Sequence, residues 1–349
     1  MGAVAGYRIH AWGEDPRWEM IEVRDPGRGE VLVEVSACGV GRTVLNCVDG
    51  QLDRAPERLP LVPGHEVVGR IAAVGEGVTA PAIGDRVMAY FYLSCYRCRA
   101  CLRGTESRCE RLAGWYGVHR DGGYAPRTVL PAGNALPLPE GIGDAEATVI
   151  PDAVATSVHV CCTRLGLGPG DTVAVVGAGG GVGIHMVQVA ASCGAAVAGL
   201  ERTDDKLALV EAHGAFPVDA RDLRTGAGPD LKQFGGAADA VIDLVGTPDS
   251  LAWGLAHLRS GGRLCVLTTF PGVSLGVDPR QLVFQETAVV GSRYASRAEL
   301  LQAAALVAAG TVRPVVGATA GPAPGEVLEL HRALRAGTLR GRGALVWSR

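Results

Sequence analysis

The run Gly177-Ala-Gly-Gly-Gly-Val-Gly183 lies between the apolar stretch Val173-Ala-Val-Val and the segment Val182-Gly-Ile-His-Met-Val-Gln-Val-Ala-Ala, and it constrains the fold of this chain more than any other feature. A short continuous apolar run suits a strand buried on both faces, and the apolar positions after the glycines recur at helical spacing. The local reading is therefore strand, tight glycine turn, helix. Similar units follow: a strand at 195–201, a helical stretch from Asp205 to His213, and strands at 238–246 and 262–268. A parallel sheet with crossover helices, an α/β architecture, accounts for them most economically.

In that position a glycine loop has a specific use. Glycine lets the backbone turn tightly and approach a pyrophosphate, whose charge then sits at the helix N-terminus. Gly177, Gly179, Gly180, Gly181, Val182 and Gly183 are the candidate contacts. The run fits Gly-x-x-Gly-x-x-Gly and Gly-x-Gly-x-x-x-Gly, not the strict Gly-x-Gly-x-x-Gly, so a merely flexible loop is the competing reading. Glu201 ends the next strand, 24 residues after Gly177. A carboxylate there can accept from a ribose 2′-hydroxyl and would repel a 2′-phosphate, which favours NAD(H) over NADP(H). Its neighbour Arg202 works the other way, because a guanidinium can turn toward a phosphate. Lys206 is a further candidate contact.

The chain has 349 residues, more than the ~250–300 at which a single core stops growing, so two domains are expected. Before the glycine loop the texture is different: short β segments at 30–35, 66–75 and 84–90 are separated by turns, a barrel-like or sandwich pattern. After Gly291 come a helical stretch, Arg297 to Ala309, and a final strand at 344–347, expected to pack back on the first domain. Gly226-Ala-Gly-Pro reads as a surface loop. The 50 glycines show no Gly-X-Y period, which excludes collagen. With 33 basic against 36 acidic residues the chain has no positive field for nucleic acid. No apolar run reaches the ~18 residues of a membrane span, and the N-terminus lacks a signal-peptide layout, which predicts a cytoplasmic protein without a membrane partner.

Four of the ten cysteines crowd together as Cys95-x2-Cys98-x2-Cys101-x7-Cys109. Four thiolates at that spacing suit tetrahedral Zn²⁺. An iron–sulfur cluster is the competitor, yet the bacterial ferredoxin run has a shorter last gap followed by proline, and Cys109 is followed by Glu110. A closed four-sulfur site has no open coordination position, so this metal holds a loop and performs no chemistry.

Gly64-His-Glu66, the cysteine lobe, Asp121-Gly-Gly-Tyr-Ala, Pro169-Gly-Asp-Thr-Val-Ala-Val-Val-Gly and the glycine loop, in this order and spacing, resemble the zinc-containing medium-chain alcohol dehydrogenase/reductase family over nearly the whole chain. The resemblance implies a GroES-like β-barrel catalytic domain at 1–153 and 291–349 and a Rossmann domain at 154–290, with nicotinamide and substrate between them. It also implies a homodimer or homotetramer formed through the nucleotide domain, which the apolar 262–269 region permits. By position, Arg42 and Arg342 resemble groups that meet the pyrophosphate. Thr156 resembles the residue beside the nicotinamide, with Gly246 and Leu267 on strand ends facing it. Phe91, Trp115 and Tyr116 correspond to an aromatic substrate wall, which implies a substrate bulkier than ethanol.

The carry-over breaks at the catalytic metal. Where the family reads Gly-Val-Cys-x-Thr-Asp-x-His, this chain has Gly39-Val-Gly41-Arg-Thr43-Val44-Leu-Asn46. The ligand cysteine is Gly41, the aspartate that orients the ligand histidine is Val44, and the relay histidine is Asn46. Cys38 is three residues early and reads as a small buried side chain. His65 stands at the second ligand position and Asp152 at the third. Glu66 is a fourth donor in reserve, although adjacent side chains seldom both reach one ion. Without a metal, His65 reads as a hydrogen-bonded histidine and Asp152 as a helix N-cap.

First ligand, orienting partner and relay are altered together, so a catalytic zinc is doubtful. A bound zinc steadies the alkoxide in carbonyl chemistry, and losing it favours substrates that need less help. The expectation is an NAD(P)H-dependent reductase of an activated C=C or C=N bond, with Thr43 as the hydroxyl that donates a hydrogen bond or a proton. The alternative is a zinc alcohol dehydrogenase using His65, Asp152 and Glu66 with water. A non-catalytic nucleotide-binding protein is the third reading.

Overall fold

The computed structural model describes residues 2–223, 228–268, 270 and 272–347. Residues 226–227 of the expected surface loop and Thr269 of the apolar 262–269 region lie outside these. The chain divides into two compact units: Met1–Asp152 with Ala295–Gly310 and Pro314–Arg349, and Ala153–Tyr294 with Thr311–Arg313. The first break comes one residue earlier, and the return four residues later, than the sequence places them.

The second unit is built on a six-stranded sheet in the order Phe216–Asp219, Ala196–Glu201, Thr172–Val176, Ala238–Asp243, Leu258–Val266, Ala288–Gly291, with every pairing parallel. In chain order this is 3-2-1-4-5-6, the doubly wound arrangement in which the polarity of winding reverses beside the first strand. Helices Gly183–Ser192, Asp204–Ala212 and Pro248–Ala256 follow the strands. Val173–Val176 and Ala240–Asp243 are buried on both faces, which is why they read as continuous apolar runs. Trp253 fills the core on one side of the sheet with Val241 and Leu264, and its indole N–H donates to the Pro229 carbonyl at 3.1 Å.

The first unit carries a seven-stranded, mostly antiparallel sheet in the order Val316–Ala320, Arg342–Val346, Glu30–Val40, Val67–Val74, Arg86–Ala89, Ala135–Pro137, with Arg127–Pro131 also paired to Glu30–Val40. The central strand is long, and its register against Val67–Val74 shifts at 32/33 and again between 35 and 37. Extra residues of this kind bend a strand and raise its twist, so the sheet can wrap. The C-terminal strand returns antiparallel to the central one, Gly343 opposite Val40 and Ala344 opposite Gly39. That register sets Arg342 beside Gly41.

The helix expected at 297–309 runs Arg297–Ala308 and begins with a reciprocal cap: the Ser296 hydroxyl accepts from the Glu299 N–H, and the Glu299 carboxylate accepts from the Ser296 N–H. Replacing a capping serine by alanine typically costs about 1 kcal/mol. Ser296→Ala should lower the urea midpoint by a corresponding amount, measured by circular dichroism, and an unchanged midpoint would show that the cap adds nothing. Among the described residues no helix is long and apolar enough to cross a membrane.

Candidate active site

In the second unit the glycines act through specific approaches. Gly177 leaves strand Thr172–Val176 with φ +83°, and its N–H donates to the Leu200 carbonyl at 3.0 Å. A Cβ on Gly183 would lie 2.1 Å from the Gly177 carbonyl oxygen, so only glycine lets the helix start so close to the strand end. Gly179 is crowded by the Lys206 side chain in the same way, at 2.8 Å. The ten-residue helix beginning at Gly183 has neither a side-chain cap nor an acidic residue in its first turn. Its leading N–H groups are thus suited to an anion. His185 Nδ1 contacts the Gly181 carbonyl at 2.7 Å and fixes the loop from the helix side.

Glu201 is buried at the end of its strand, as the spacing predicts. Its carboxylate accepts from the Gly179 N–H at 2.8 Å and from the Arg202 N–H at 3.2 Å. The negative charge is pinned against the glycine loop. Arg202 is exposed, and Lys206 lies half-buried against the loop. Thr156 is buried on the short helical turn Ala155–Val158. Gly246 comes three residues past its strand rather than at its end, with φ +72° and the Thr268 carbonyl 2.7 Å from where a Cβ would be. Leu267 directly follows Leu258–Val266.

In the first unit, His65, Glu66, Asp152 and Arg342 form one buried cluster. Gly64 has φ +100° and packs under Tyr124, turning His65 inward. The imidazole is fully buried, edge-on to Phe91 at 4.5 Å. Its Nε2 lies 3.6 Å from Glu66 Oε1 and 3.9 Å from Asp152 Oδ2, too far for a hydrogen bond, and neither ring nitrogen has a hydrogen-bond partner among the described residues. One ligand atom from each of His65, Glu66 and Asp152 lies within 4.8 Å of the others. Adjacent His65 and Glu66 do therefore converge, contrary to the expectation that neighbours seldom do. Gly39, which the sequence reading passed over, makes this possible: a Cβ there would sit 2.2 Å from Glu66 Oε2.

Arg342 binds both carboxylates. Its Nε donates to Glu66 Oε2 at 2.9 Å, and Nη2 bonds both Glu66 Oε1 and Asp152 Oδ2. The guanidinium is only 4% exposed, and it lies across Gly41, where a Cβ would be 2.5 Å from its Cζ. The side chain thus occupies the place of a ligand at position 41, with Nε and Nη2 bonded to Glu66 and Asp152. The pyrophosphate contact expected of this residue would have to come from Nη1, which neither carboxylate engages. At Asp152 burial opposes ionisation, but Arg342 and His65 outweigh it and hold the carboxyl well below its usual range. At Glu66 burial dominates, and despite Arg342 the carboxyl is pushed up. Arg342 stays a firm cation because its two carboxylates overcome the cost of burial.

Asp152 is not a helix N-cap either. It sits inside a π-helical turn, Ile150–Val154, whose extra residue per turn re-aims side chains. Thr43 is half-buried on helix Arg42–Val48 and its hydroxyl makes no hydrogen bond among the described residues, while Arg42 on the same helix is exposed. Cys38 is buried as expected. Of the aromatic wall, Phe91 touches His65, Tyr92 stands between Phe91 and Trp115 at ring distances of 5.0 and 5.8 Å, and Trp115 is half-buried. Tyr116 is a correction: it is fully buried with its hydroxyl on Thr128, a core residue and not a wall.

The cysteine lobe gathers its four sulfurs within 4.8 Å of one another, with Cys98 Sγ 3.5 Å from Cys101 Sγ and 3.9 Å from Cys109 Sγ. A tetrahedron with Zn–S of ~2.3 Å has edges of ~3.8 Å, so the residues fit the ion. Backbone N–H groups prepare the thiolates: that of Arg97 is the main cause bringing Cys95 down to about 6, and those of Cys101 and Glu110 lower Cys98.

Comparison with known proteins agrees with both units. The alcohol dehydrogenase GroES-like domain family matches residues 27–140, and the zinc-binding dehydrogenase family matches 181–309. An alcohol dehydrogenase from Moraxella sp. (strain TAE123) is 33% identical over 96% of this chain and 96% of its own length. An acryloyl-coenzyme A reductase from Metallosphaera sedula is 33% identical over 88% of this chain and 90% of its own. The crystal structure of AibC matches with a TM-score of 0.89 at 29% identity, covering 99% of this chain and 96% of that one. The chain, with a GroES-like domain and a Rossmann domain, belongs to the zinc-containing medium-chain alcohol dehydrogenase/reductase family of oxidoreductases.

Proposed function

We propose that this oxidoreductase uses NAD(P)H to reduce an activated C=C or C=N bond of a fairly bulky small molecule, and does so without a catalytic zinc. One observation carries the reading: the Arg342 guanidinium lies over Gly41 and binds both carboxylates a zinc would need. A catalytic zinc takes three protein ligands and water. Here position 41 has no donor and Glu66 and Asp152 are already engaged, which leaves His65 alone. The residues do not fit that ion.

Bound NAD(P)H supplies the hydride. The glycine loop and the start of helix Gly183–Ser192 hold its pyrophosphate, and the Glu201 carboxylate accepts from a ribose hydroxyl. The Arg342 charge is offset by the carboxylates it binds, so the cluster cannot steady a developing alkoxide as a bound cation would. The substrate must bring its own electron deficiency, which a conjugated C=C or an iminium does. Thr43 holds the proton that completes the reduction, and Phe91 offers an apolar face. The relative named acryloyl-coenzyme A reductase supports the C=C arm.

Metal analysis combined with a substrate panel tests this. The expected result is about one zinc per chain, held by Cys95, Cys98, Cys101 and Cys109, with NADH oxidation on an enone or a cyclic imine and none on cyclohexanone. About two tightly held zincs per chain, with turnover on cyclohexanone lost on chelation, would establish the second reading. That reading is a zinc alcohol dehydrogenase, and the convergence of His65, Glu66 and Asp152 within 4.8 Å favours it.

NAD(H) is the preferred cofactor because Glu201 would face a 2′-phosphate across a short distance. Glu201→Gln should improve NADPH use relative to NADH by about 10-fold, the scale of one removed charge repulsion. An unchanged ratio of kcat/KM for the two cofactors would show that Glu201 does not set the preference.

A further inference from the structure

We propose that Cys162 and Cys193 form a peroxide-responsive dithiol, a site that closes reversibly to a disulfide within one chain. Their sulfurs lie 3.8 Å apart although the residues are 31 positions apart in sequence. Cys162 is exposed on the helical segment His159–Arg164, and Cys193 is half-buried as the residue that ends helix Gly183–Ser192. A disulfide needs ~2.05 Å between sulfurs, a closure within reach of side-chain rotation where one partner is exposed.

The rest of the chain leaves these two as the reactive pair. Cys38, Cys47, Cys161 and Cys265 are buried, and burial pushes all four thiols up, Cys47 and Cys265 to about 12. Cys161, though adjacent to Cys162, points the other way, its sulfur 3.5 Å from that of Met186. Cys95, Cys98, Cys101 and Cys109 belong to the metal lobe. Cys193, by contrast, is brought down to about 7 by the neighbouring Cys162 thiol. A substantial thiolate fraction at neutral pH is what peroxide attack requires.

The oxidant is hydrogen peroxide. The Cys193 thiolate attacks one peroxide oxygen and the O–O bond breaks, giving a sulfenic acid and hydroxide, which takes a proton to become water. Cys162, losing its proton, attacks that sulfur. The S–S bond forms, the S–O bond breaks, and a second water leaves. Two electrons pass from the sulfur pair to the peroxide, and a dithiol reductant reverses the change.

Zinc-loaded full-length protein, alkylated under native conditions and mapped by mass spectrometry, tests this. Before peroxide, Cys162 and Cys193 should be the fast-labelling thiols. After treatment with about one equivalent, labelling at both should vanish, the intact mass should fall by about 2 Da, and a peptide joining 162 to 193 should appear. Dithiothreitol should restore all three. Cys162→Ser and Cys193→Ser should each abolish the mass loss. Peroxide that leaves both thiols alkylatable, takes Cys193 on to a sulfinic acid, releases zinc with disulfides in the lobe instead, or joins two chains through these residues would overturn the proposal.

Discussion

Arg342→Ala should destabilise the first unit by about 3–5 kcal/mol, because it removes the cation bound to two buried carboxylates. Glu66 is fully buried, the Asp152 side chain is only 13% exposed, and Arg342 donates to both. The pH dependence should change sign with it. In the wild type the Asp152 carboxyl is held below its unfolded value, so the stability it lends is complete above about pH 4 and is lost as the pH falls through the lower folded value. Glu66 is raised and works in the opposite sense, its contribution being lost as the pH rises through its folded value. With Arg342 removed, both groups are raised, and the variant should gain stability relative to wild type as the pH is lowered toward 5. Urea denaturation of both proteins at pH 5 and pH 8 reads this directly. Removing the charges together separates the ion cluster from simple packing: the triple variant Glu66→Gln, Asp152→Asn, Arg342→Met should recover most of the loss. A single variant as stable as wild type, with a parallel pH profile, would show that Arg342 is not the counter-charge and that Glu66 and Asp152 stand open to a zinc.

The uneven legibility of this chain has a physical reason. The glycine loop, Glu201 and the cysteine lobe announce themselves because each is local: a turn that must bring Gly183 under the Gly177 carbonyl, or four sulfurs on a fifteen-residue segment, is specified by spacing alone. Helix Arg297–Ala308 is local in the same sense, and its Ser296–Glu299 cap is a signal the sequence also carries within four residues. Arg342 was not. Its place beside Gly41 is set by the pairing of Gly343 with Val40 across the sheet, and nothing within several residues of either position records it. The substitution at Gly41 signalled that a ligand was gone, but a guanidinium from 276 residues away from Glu66 as its replacement is a tertiary fact. Tyr116 failed differently. An aromatic next to Trp115 reads equally as wall or core, and its hydroxyl on Thr128 decides for core. Gly39 looked like one more glycine in a turn-rich chain, yet it has no positive φ to betray it, only a carboxylate where its side chain would be.

Gly183→Ala should weaken NADH binding by about 10–100-fold, the equivalent of the 1–3 kcal/mol that overpacking typically costs. The added Cβ would meet the Gly177 oxygen at 2.1 Å and the Ala178 Cα and carbonyl carbon at 2.8 Å. All three are backbone atoms, so no side chain can swing aside. Either the helix start must retreat from the strand end or the loop must open, and both carry the leading N–H groups away from the phosphate they are to meet. Gly180 provides the control on the same loop. A Cβ there meets only the Gly177 oxygen, at 3.3 Å, so Gly180→Ala should stay within about threefold of wild type in affinity. Fluorescence titration with NADH measures both variants, and their unfolding midpoints distinguish a displaced loop from a loosened unit. Should Gly183→Ala bind NADH as tightly as Gly180→Ala does, the close packing of helix on strand would not be what positions the cofactor. Its anchorage would then rest on Glu201 and the ribose rather than on the helix terminus.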